Sequence, residues 1–318
     1  MGSQRKPGVE DFFARFPSDD ACLEHIFATK WGAHSACPHC GQLGSWRRIG
    51  GTKKWRHSCR KHLSPLKDTI FYRSNLSLMA WFYALLLFAN SSTGMRSSFI
   101  RRQLGLGHRS AFRVCGMIRV HMATMPRPAM LGGIGKTVHI DEAYLRYLID
   151  HESGMHAPAI VVGIACEGQV ICCKVPDRKA ATLIPLIKSK VVAGSTIITD
   201  MHLAYGKLAD HGYTHIRINH SIAFHDFKGN TNNEIEAFWA TVKRTLRSYR
   251  QISPDNFWTF LAEIEFRYNR RHNRGANFEE LISTFNPISL TDQSAWRERF
   301  EWLPPRQPIA DEDKPASG

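Results

Sequence analysis

The spacing of apolar and polar positions changes character twice along the chain. In the stretch DDACLEHIFATKW, Cys22, Ile26, Phe27 and Trp31 fall near one face of a helix, with Asp19 or Asp20 as its N-cap. Helical spacing then fades into a run rich in Gly, Cys, His, Trp and basic residues, and returns after residue 70. The apolar run Leu76–Ala89 is shorter than the about 20 residues a membrane span needs, so it reads as a buried helix. After the Gly132–Gly135 stretch the chain turns β-rich. TVHIDEAYLRYLI, APAIVVGIACEG and QVICCKV read as three strands, full of β-branched residues. A helix (177–192), a strand (194–200), a helix (203–212), a strand (214–220) and two helices (232–250 and 255–274) follow. In the last helix Phe257, Leu261, Ile264 and Tyr268 recur at helical spacing.

Three leading strands suit an antiparallel meander, and strands joined through helices add in parallel, which predicts an α/β layer with a mixed sheet and flanking helices. The pattern divides the chain into a helical segment (1–34), a Cys-rich segment (35–70), a helical region (71–131), an α/β domain (136–285) and a C-terminal tail (286–318). The tail is Pro-rich and polar from Pro304 and reads as disordered there.

Composition narrows the partner. The 318 residues suffice for two or three domains, and a hydrophobic content of 43% excludes a disordered chain. A net charge of +14 and a pI near 9.6 favour a polyanion, either nucleic acid or an anionic membrane surface. No signal peptide precedes the first acidic residues and no run is long enough to span a bilayer, so nucleic acid is the better reading. The eight cysteines lack the spacing of a small secreted scaffold; adjacent Cys172 and Cys173 in an apolar segment suit reduced thiols and a cytoplasmic location.

Cys37-Pro-His-Cys40, 18 intervening residues, and Cys59-Arg-Lys-His62 form two short knuckles, each aiming two ligands at one point. Reduced Cys3His sets suit tetrahedral Zn²⁺, and a closed site of this kind is structural. Cys37, Cys40, Cys59 and His62 are the expected ligands, with His57 competing for the last place; His39 reads as a solvated knuckle residue. The intervening WRRIGGTKKWRH is basic and aromatic, with a Gly-Gly turn between two short strands, the layout of a zinc ribbon. Arg47, Arg48, Lys53 and Lys54 are its expected DNA contacts.

In SSFIRRQLGLGHRSAFRVCGMIRVHM two helices flank a Gly-Leu-Gly turn. Ala111, Val114, Ile118 and Met122 would face inward, and Arg109, Arg113 and Arg119 outward, with Arg101 on the first helix. The layout suits a helix lying in a DNA groove, and equally an ordinary helical hairpin with a solvated basic face.

Two aspartates close apolar runs: Asp141 after TVHI and Asp200 after TIIT. Like charges brought together at such strand ends are costly without a counter-ion, and a divalent cation resolves the conflict. A third acid, Glu236, opens the helix NNEIEAFWATVKRTLRSYR. At about 100° per residue Asn233, Glu236, Ala240 and Lys243 share a stripe, with ~10 Å of rise from Glu236 to Lys243. Glu236 would reach the metal and Lys243 a phosphate, with Arg244 and Arg247 adding positive charge. Ile235, Phe238, Trp239 and Val242 would bury against the sheet. Thr231 and Glu234 form a possible capping box. Glu142 should point to the opposite side of its strand from Asp141, away from the metal.

HIDEAY, TDMHLAYGKL, INHSIAF, NNEIEAFWATVKR and EFRYNRR together resemble DDE-type transposases of bacterial insertion sequences, in particular the Merlin-related group with an N-terminal zinc ribbon. FPSDDACLEHIFATKWG and TIFYRSNLSL, on either side of the knuckles, fit the same group, and the resemblance covers about residues 16–275. It implies an RNase H-like catalytic domain, a nucleoid-associated enzyme, and two Mg²⁺ or Mn²⁺ ions beside one structural Zn²⁺. It implies cleavage and transfer of DNA strands at terminal inverted repeats, with target DNA as second substrate and at least a homodimer on DNA. Asp141 and Asp200 are the implied metal ligands. The third position is Asn233 in members with Asn there and Glu236 in members with Glu; a charged oxygen favours Glu236. Many relatives carry Cys where this chain has His62. The competing reading is a catalytically inactive zinc-ribbon regulator derived from such an enzyme.

Overall fold

The structure is a computed structural model that describes residues 5–32, 35–43, 45–146, 148–149, 154–218, 233–249, 252–289 and 291–303, with Asn233 described in its backbone alone. The tail from Pro304, the Thr231 cap and the Asn233 side chain lie outside the described residues.

Two short helices begin the fold, α1 (Val9–Arg15) and α2 (Asp19–Trp31). Ser18, rather than an aspartate, caps α2 by accepting from the Ala21 amide at 3.2 Å. Asp19 instead accepts from the Met79 amide at 2.9 Å and so ties α2 to the start of a later helix. A three-stranded antiparallel sheet follows: β1 (Trp46–Arg48), β2 (Trp55–His57) and β3 (His62–Leu63). It docks on α2 through Phe27, which stacks on Trp55 with ring centroids 4.4 Å apart.

The apolar run becomes α3 (Leu78–Asn90), which buries Leu78, Trp81, Phe82, Leu85, Leu86 and Phe88. Next come α4 (Ser97–Leu104) and α5 (His108–Thr124), separated by a turn in which Gly105 takes φ 62°, a conformation glycine adopts without strain. Ala111, Val114, Ile118 and Met122 are buried as their spacing predicts. Arg109 and Arg113 are exposed, but Arg119 is not, being only 4% exposed. Its Nε–H donates to Glu263 at 2.8 Å and its Nη2 to the Met95 carbonyl at 2.7 Å. Periodicity alone did not reveal this partner, 144 residues away.

A five-stranded sheet then forms in the order β10–β9–β5–β6–β7. After β4 (Leu131–Gly132), strands β5 (Thr137–Leu145), β6 (Ala159–Cys166) and β7 (Gln169–Val175) make the antiparallel meander. Helix α6 (Ala180–Lys190) leads through β8 (Val191–Val192), which pairs with β4, to β9 (Thr196–Thr199) and β10 (Thr214–Arg217). β9 runs parallel to β5, and β10 parallel to β9. The expected helix over 203–212 is instead two single 3-10 turns, Leu203–Tyr205 and Ala209–His211, interrupted at Gly206 and closed by Gly212 at φ 82°.

The sheet is covered on both faces. Val138, Ile140, Val162 and Ile164 pack with α6 and Tyr205 on one side. Ala143, Val161 and Ala165 join the larger core on the other, with α7 (Asn233–Ser248) and α8 (Phe257–Asn269). Helix α8 also packs on α5, and α9 (Asn277–Ile282) on α3, so the N-terminal helices share one core with the sheet. No helix among the described residues is long and apolar enough to cross a membrane.

Candidate metal centres and DNA-facing surface

The parallel pairing of β5 with β9 ends at His139 opposite Ile198. Carried on by two residues, that register sets Asp141 beside Asp200, where β9 has ended and the edge of β5 is open. Oxygens of Asp141, Asp200 and Glu142 lie within 4.8 Å of one another. Asp141 accepts from the Glu142 amide at 2.8 Å, and Asp200 from the His202 amide at 2.9 Å. Burial, then the charges of Glu142 and Asp200, push the Asp141 carboxyl up to about 6. Three crowded carboxylates, one already reluctant to ionise, are a donor set suited to a divalent cation.

The expectation that Glu142 stands apart is corrected. Strand alternation does send it to the face of Val138 and Ile140, but at the open edge its carboxylate reaches back to the two aspartates. Its side chain is fully buried, and it accepts from Arg178 Nε at 3.1 Å. Arg178, between β7 and α6, was not singled out in the sequence; a lone arginine in a turn carries no distinguishing pattern.

Glu236 lies outside this group of three. It is exposed on α7, whose opposite side buries Ile235, Phe238, Trp239 and Val242 against β5 and β6 as expected. Ala240, Lys243, Arg244 and Arg247 are also exposed on α7. Glu234 turns to the β6–β7 hairpin, where its carboxylate accepts from the Gly168 amide.

Four ligand atoms also converge in the ribbon, from Cys37, Cys40, Cys59 and His57, all within 4.8 Å of one another. The Cys37 and Cys59 sulfurs are 3.8 Å apart, and Cys40 Sγ is 3.7 Å from His57 Nδ1. A zinc tetrahedron with Zn–S bonds of about 2.3 Å has S···S edges of about 3.8 Å, so the set fits Zn²⁺. The three cysteines of the set, Cys37, Cys40 and Cys59, are free of disulfides.

His62 is replaced by His57 in this set. His62 pairs with Arg56 across β2 and β3 and shares that residue's exposed face, whereas His57, one position on, turns inward and is 2% exposed. Arg48, on the same strand as Arg47, has acidic neighbours. It is held by Asp20 at 2.5 Å and Glu24 at 3.4 Å, so its charge fixes the ribbon to α2.

Arg47, opposite Arg56, and Arg56, opposite His62, form a basic row across the sheet. With Ser45 and Arg60 they line a cleft of about 400 Å³. No acidic partner of Arg47, Arg56 or Arg60 occurs among the described residues, and like charges set directly across a sheet favour an anion between them. Lys53 and Lys54 are exposed at the hairpin tip. Arg101 and Arg109 are exposed on α4 and α5, while Arg113 donates to the carbonyls of Tyr72 and Arg73.

Residues 130–269 match the family described as ISXO2-like transposase domain, and residues 17–62 that described as transposase zinc-ribbon domain. An uncharacterized transposase-like protein of Haemophilus influenzae is 38% identical over 95 residues, which is 30% of this chain and 76% of that protein.

Proposed function

The chain belongs to the insertion-sequence transposases with an N-terminal zinc ribbon, and from that premise we propose that it binds the terminal inverted repeats of its element and catalyses metal-dependent cleavage and transfer of DNA strands. The observation that carries this reading is the meeting of Asp141 and Asp200 at the open edge of the sheet. A mixed sheet with three antiparallel strands and two parallel additions, covered by helices on both faces, supports an RNase H-like assignment.

Asp141 and Asp200 would hold the divalent ions, Mg²⁺ or Mn²⁺, with Glu236 on α7 as the third ligand. When bound, a pair of such ions supplies Lewis acidity to the scissile phosphate and to the attacking and leaving oxygens. The attacking group is water in cleavage and the freed 3′-OH in transfer, so no covalent protein–DNA intermediate is required. Lys243, Arg244 and Arg247, exposed further along α7, would contact phosphates flanking the scissile bond.

The ribbon would be held by one Zn²⁺ on Cys37, Cys40, His57 and Cys59, and would contribute phosphate contacts from Arg47, Arg56 and Arg60, with Lys53 and Lys54 at its tip. The α4–α5 pair would lie along DNA with Arg101, Arg109 and Arg113 towards it, in the manner of a helix-turn-helix. Holding both element ends together calls for at least a homodimer on DNA, with target DNA captured afterwards.

The test is incubation with DNA carrying the element's ends and Mg²⁺ or Mn²⁺, comparing wild type with Asp141→Ala and Asp200→Ala. Specific nicking and joining should vanish in both variants; nicking that survives both changes removes this site. End binding without nicking by the wild type would favour an inactive regulator.

A further inference from the structure

Arg178 reaches the acidic group from the turn between β7 and α6. Asp177 Oδ1 fixes that turn by accepting from the Lys179 amide at 2.9 Å and the Thr182 hydroxyl at 2.7 Å. The Arg178 guanidinium then lies along one face of β5. Its Nε–H donates to Glu142 at 3.1 Å, its carbon sits 5.6 Å from the centre of the Tyr144 ring, and its Nη2 is 3.9 Å from Asp200 Oδ2. Glu142 and Tyr144 are two positions apart on the strand and so share that face. Arg178 is thus positioned where it offsets charge in the group that Asp141 and Asp200 form.

Glu142 occupies a different environment from the two aspartates. Its side chain is fully buried, between the Arg178 guanidinium and the equally buried Tyr205 hydroxyl. A buried carboxylate is stabilised by a cation paired with it in good geometry. The cation is Arg178, at 3.1 Å.

We propose that Arg178 is a positioning residue that stands as a resident cation at the acidic site, and that Glu142 is its anchor rather than a ligand of the divalent ions. The inference rests on the reading that Asp141 and Asp200 receive those ions. An incoming divalent ion displaces the long Arg178–Asp200 contact while the shorter Glu142–Arg178 pair keeps the guanidinium beside the site. Glu142 and Arg178 therefore act on metal affinity with opposite sign. Removing the cation leaves the acids with one more uncompensated charge and tightens binding. Removing the anchor leaves the guanidinium to compete for Asp200 and weakens it. Removing both returns the net charge of the wild type.

The experiment is Mn²⁺ titration of the full chain, followed by electron paramagnetic resonance and calorimetry, for wild type, Arg178→Gln, Glu142→Gln and the double variant, with circular dichroism to verify folding. Arg178→Gln should bind Mn²⁺ about tenfold or more tighter and Glu142→Gln about tenfold weaker, with the double variant near wild type, as a full charge within several ångströms of the ion requires. A general loss of structure would move all three variants in one direction. If Arg178→Gln leaves the affinity unchanged or lowers it, the resident-cation role is overturned. If Glu142→Gln abolishes binding and the double variant does not restore it, Glu142 is a ligand and the anchor role is overturned. Asp141→Asn and Asp200→Asn serve as controls. Mn²⁺ binding indifferent to both aspartates sinks the metal-site reading itself, whereas binding that depends on them but ignores Arg178 sinks only this inference.

Discussion

Gly163 lies directly under the ring of Trp239: a methyl group added to the glycine would come within 2.9 Å of Trp239 Cζ2. The same methyl would approach Ile235 Cδ1 at 2.7 Å, and Gly163 is the residue paired with Asp141 across β5 and β6. The missing side chain is what lets α7 settle against the sheet at the level of the first aspartate. The Trp239 indole N–H is buried there close enough to Asp141 to draw its pKa down against the larger effect of burial.

Gly163→Ala should therefore lift α7 and destabilise the chain by about 1–3 kcal/mol, the usual range for overpacking a filled core. Urea unfolding followed by tryptophan fluorescence measures this. Adding Ile235→Val, which removes the closest methyl, should recover part of the loss. A Gly163→Ala variant as stable as the wild type would mean that helix and sheet are not in such close contact.

The two histidines of the ribbon can be told apart by metal analysis. His57→Ala should lose its zinc, while His62→Ala should retain one Zn²⁺ per chain, read by inductively coupled plasma mass spectrometry on purified protein. Loss of zinc only from His62→Ala would reverse the assignment.

What decided between those histidines was not visible in the spacing of the knuckles. Both lie near Cys59 in sequence, and only the β2–β3 register settles which faces inward. The ambiguity around Glu142 has the same origin. Its alternation was readable, and so was the end of β9 before Asp200, but that its carboxylate comes back to the two aspartates at the open edge was not. Elements with strong local patterns were legible: the three-strand meander, the apolar α3, and the buried side of α7. Helix α1 falls within the expected helical segment 1–34, but its existence as a separate helix has no pattern of its own, because it is only seven residues long and buries Phe12 as its single fully covered side chain. Arg48 and Arg119 were read as surface charges because their acidic partners are distant in sequence.

The basic row on the ribbon predicts a particular response to salt. Arg47→Ala, Arg56→Ala and Arg60→Ala, combined, should weaken binding to end DNA and to unrelated duplex by similar factors. Each lost phosphate contact should also flatten the dependence of log K on log salt by about 0.9. Fluorescence anisotropy at several salt concentrations gives the slope. Arg48→Ala is the internal control, expected to leave the slope unchanged because Asp20 and Glu24 already hold that charge. An unaltered slope in the triple variant would move DNA away from this face.

Glu263 is the junction between the N-terminal helices and α8. Its carboxylate accepts from Arg119, from Arg267 at 2.7 Å and from the Tyr249 hydroxyl at 2.9 Å, while Arg267 also donates to the carbonyls of Phe88 and Ser91. All three charged groups are buried. Glu263→Ala strands two buried guanidinium groups and should cost about 3–5 kcal/mol. The partly exposed Arg48 pair, by contrast, should cost no more than about 1 kcal/mol when cut. Equal losses in urea unfolding would show that burial of the network contributes nothing beyond a surface contact.

Acid sensitivity should trace to His121. The ring is fully buried between α5 and α9, its Nε2–H donates to the Leu281 carbonyl at 2.7 Å, and its Nδ1 has no partner among the described residues. Burial lowers its pKa to about 4, so the native ring stays neutral where the unfolded ring is already protonated. In that interval the unfolded state binds more protons, and stability must rise with pH. The contribution is flat above pH about 6.5 and falls by up to about 1.4 kcal/mol per unit towards pH 4, roughly 3 kcal/mol in all. His25 and His215, both lowered by burial, act in the same direction. His121→Gln keeps a donor for Leu281 without the titrating ring. The difference in unfolding free energy between wild type and this variant should therefore change across pH 4 to 6.5 and stay constant above it. A difference independent of pH would assign the acid response to other groups.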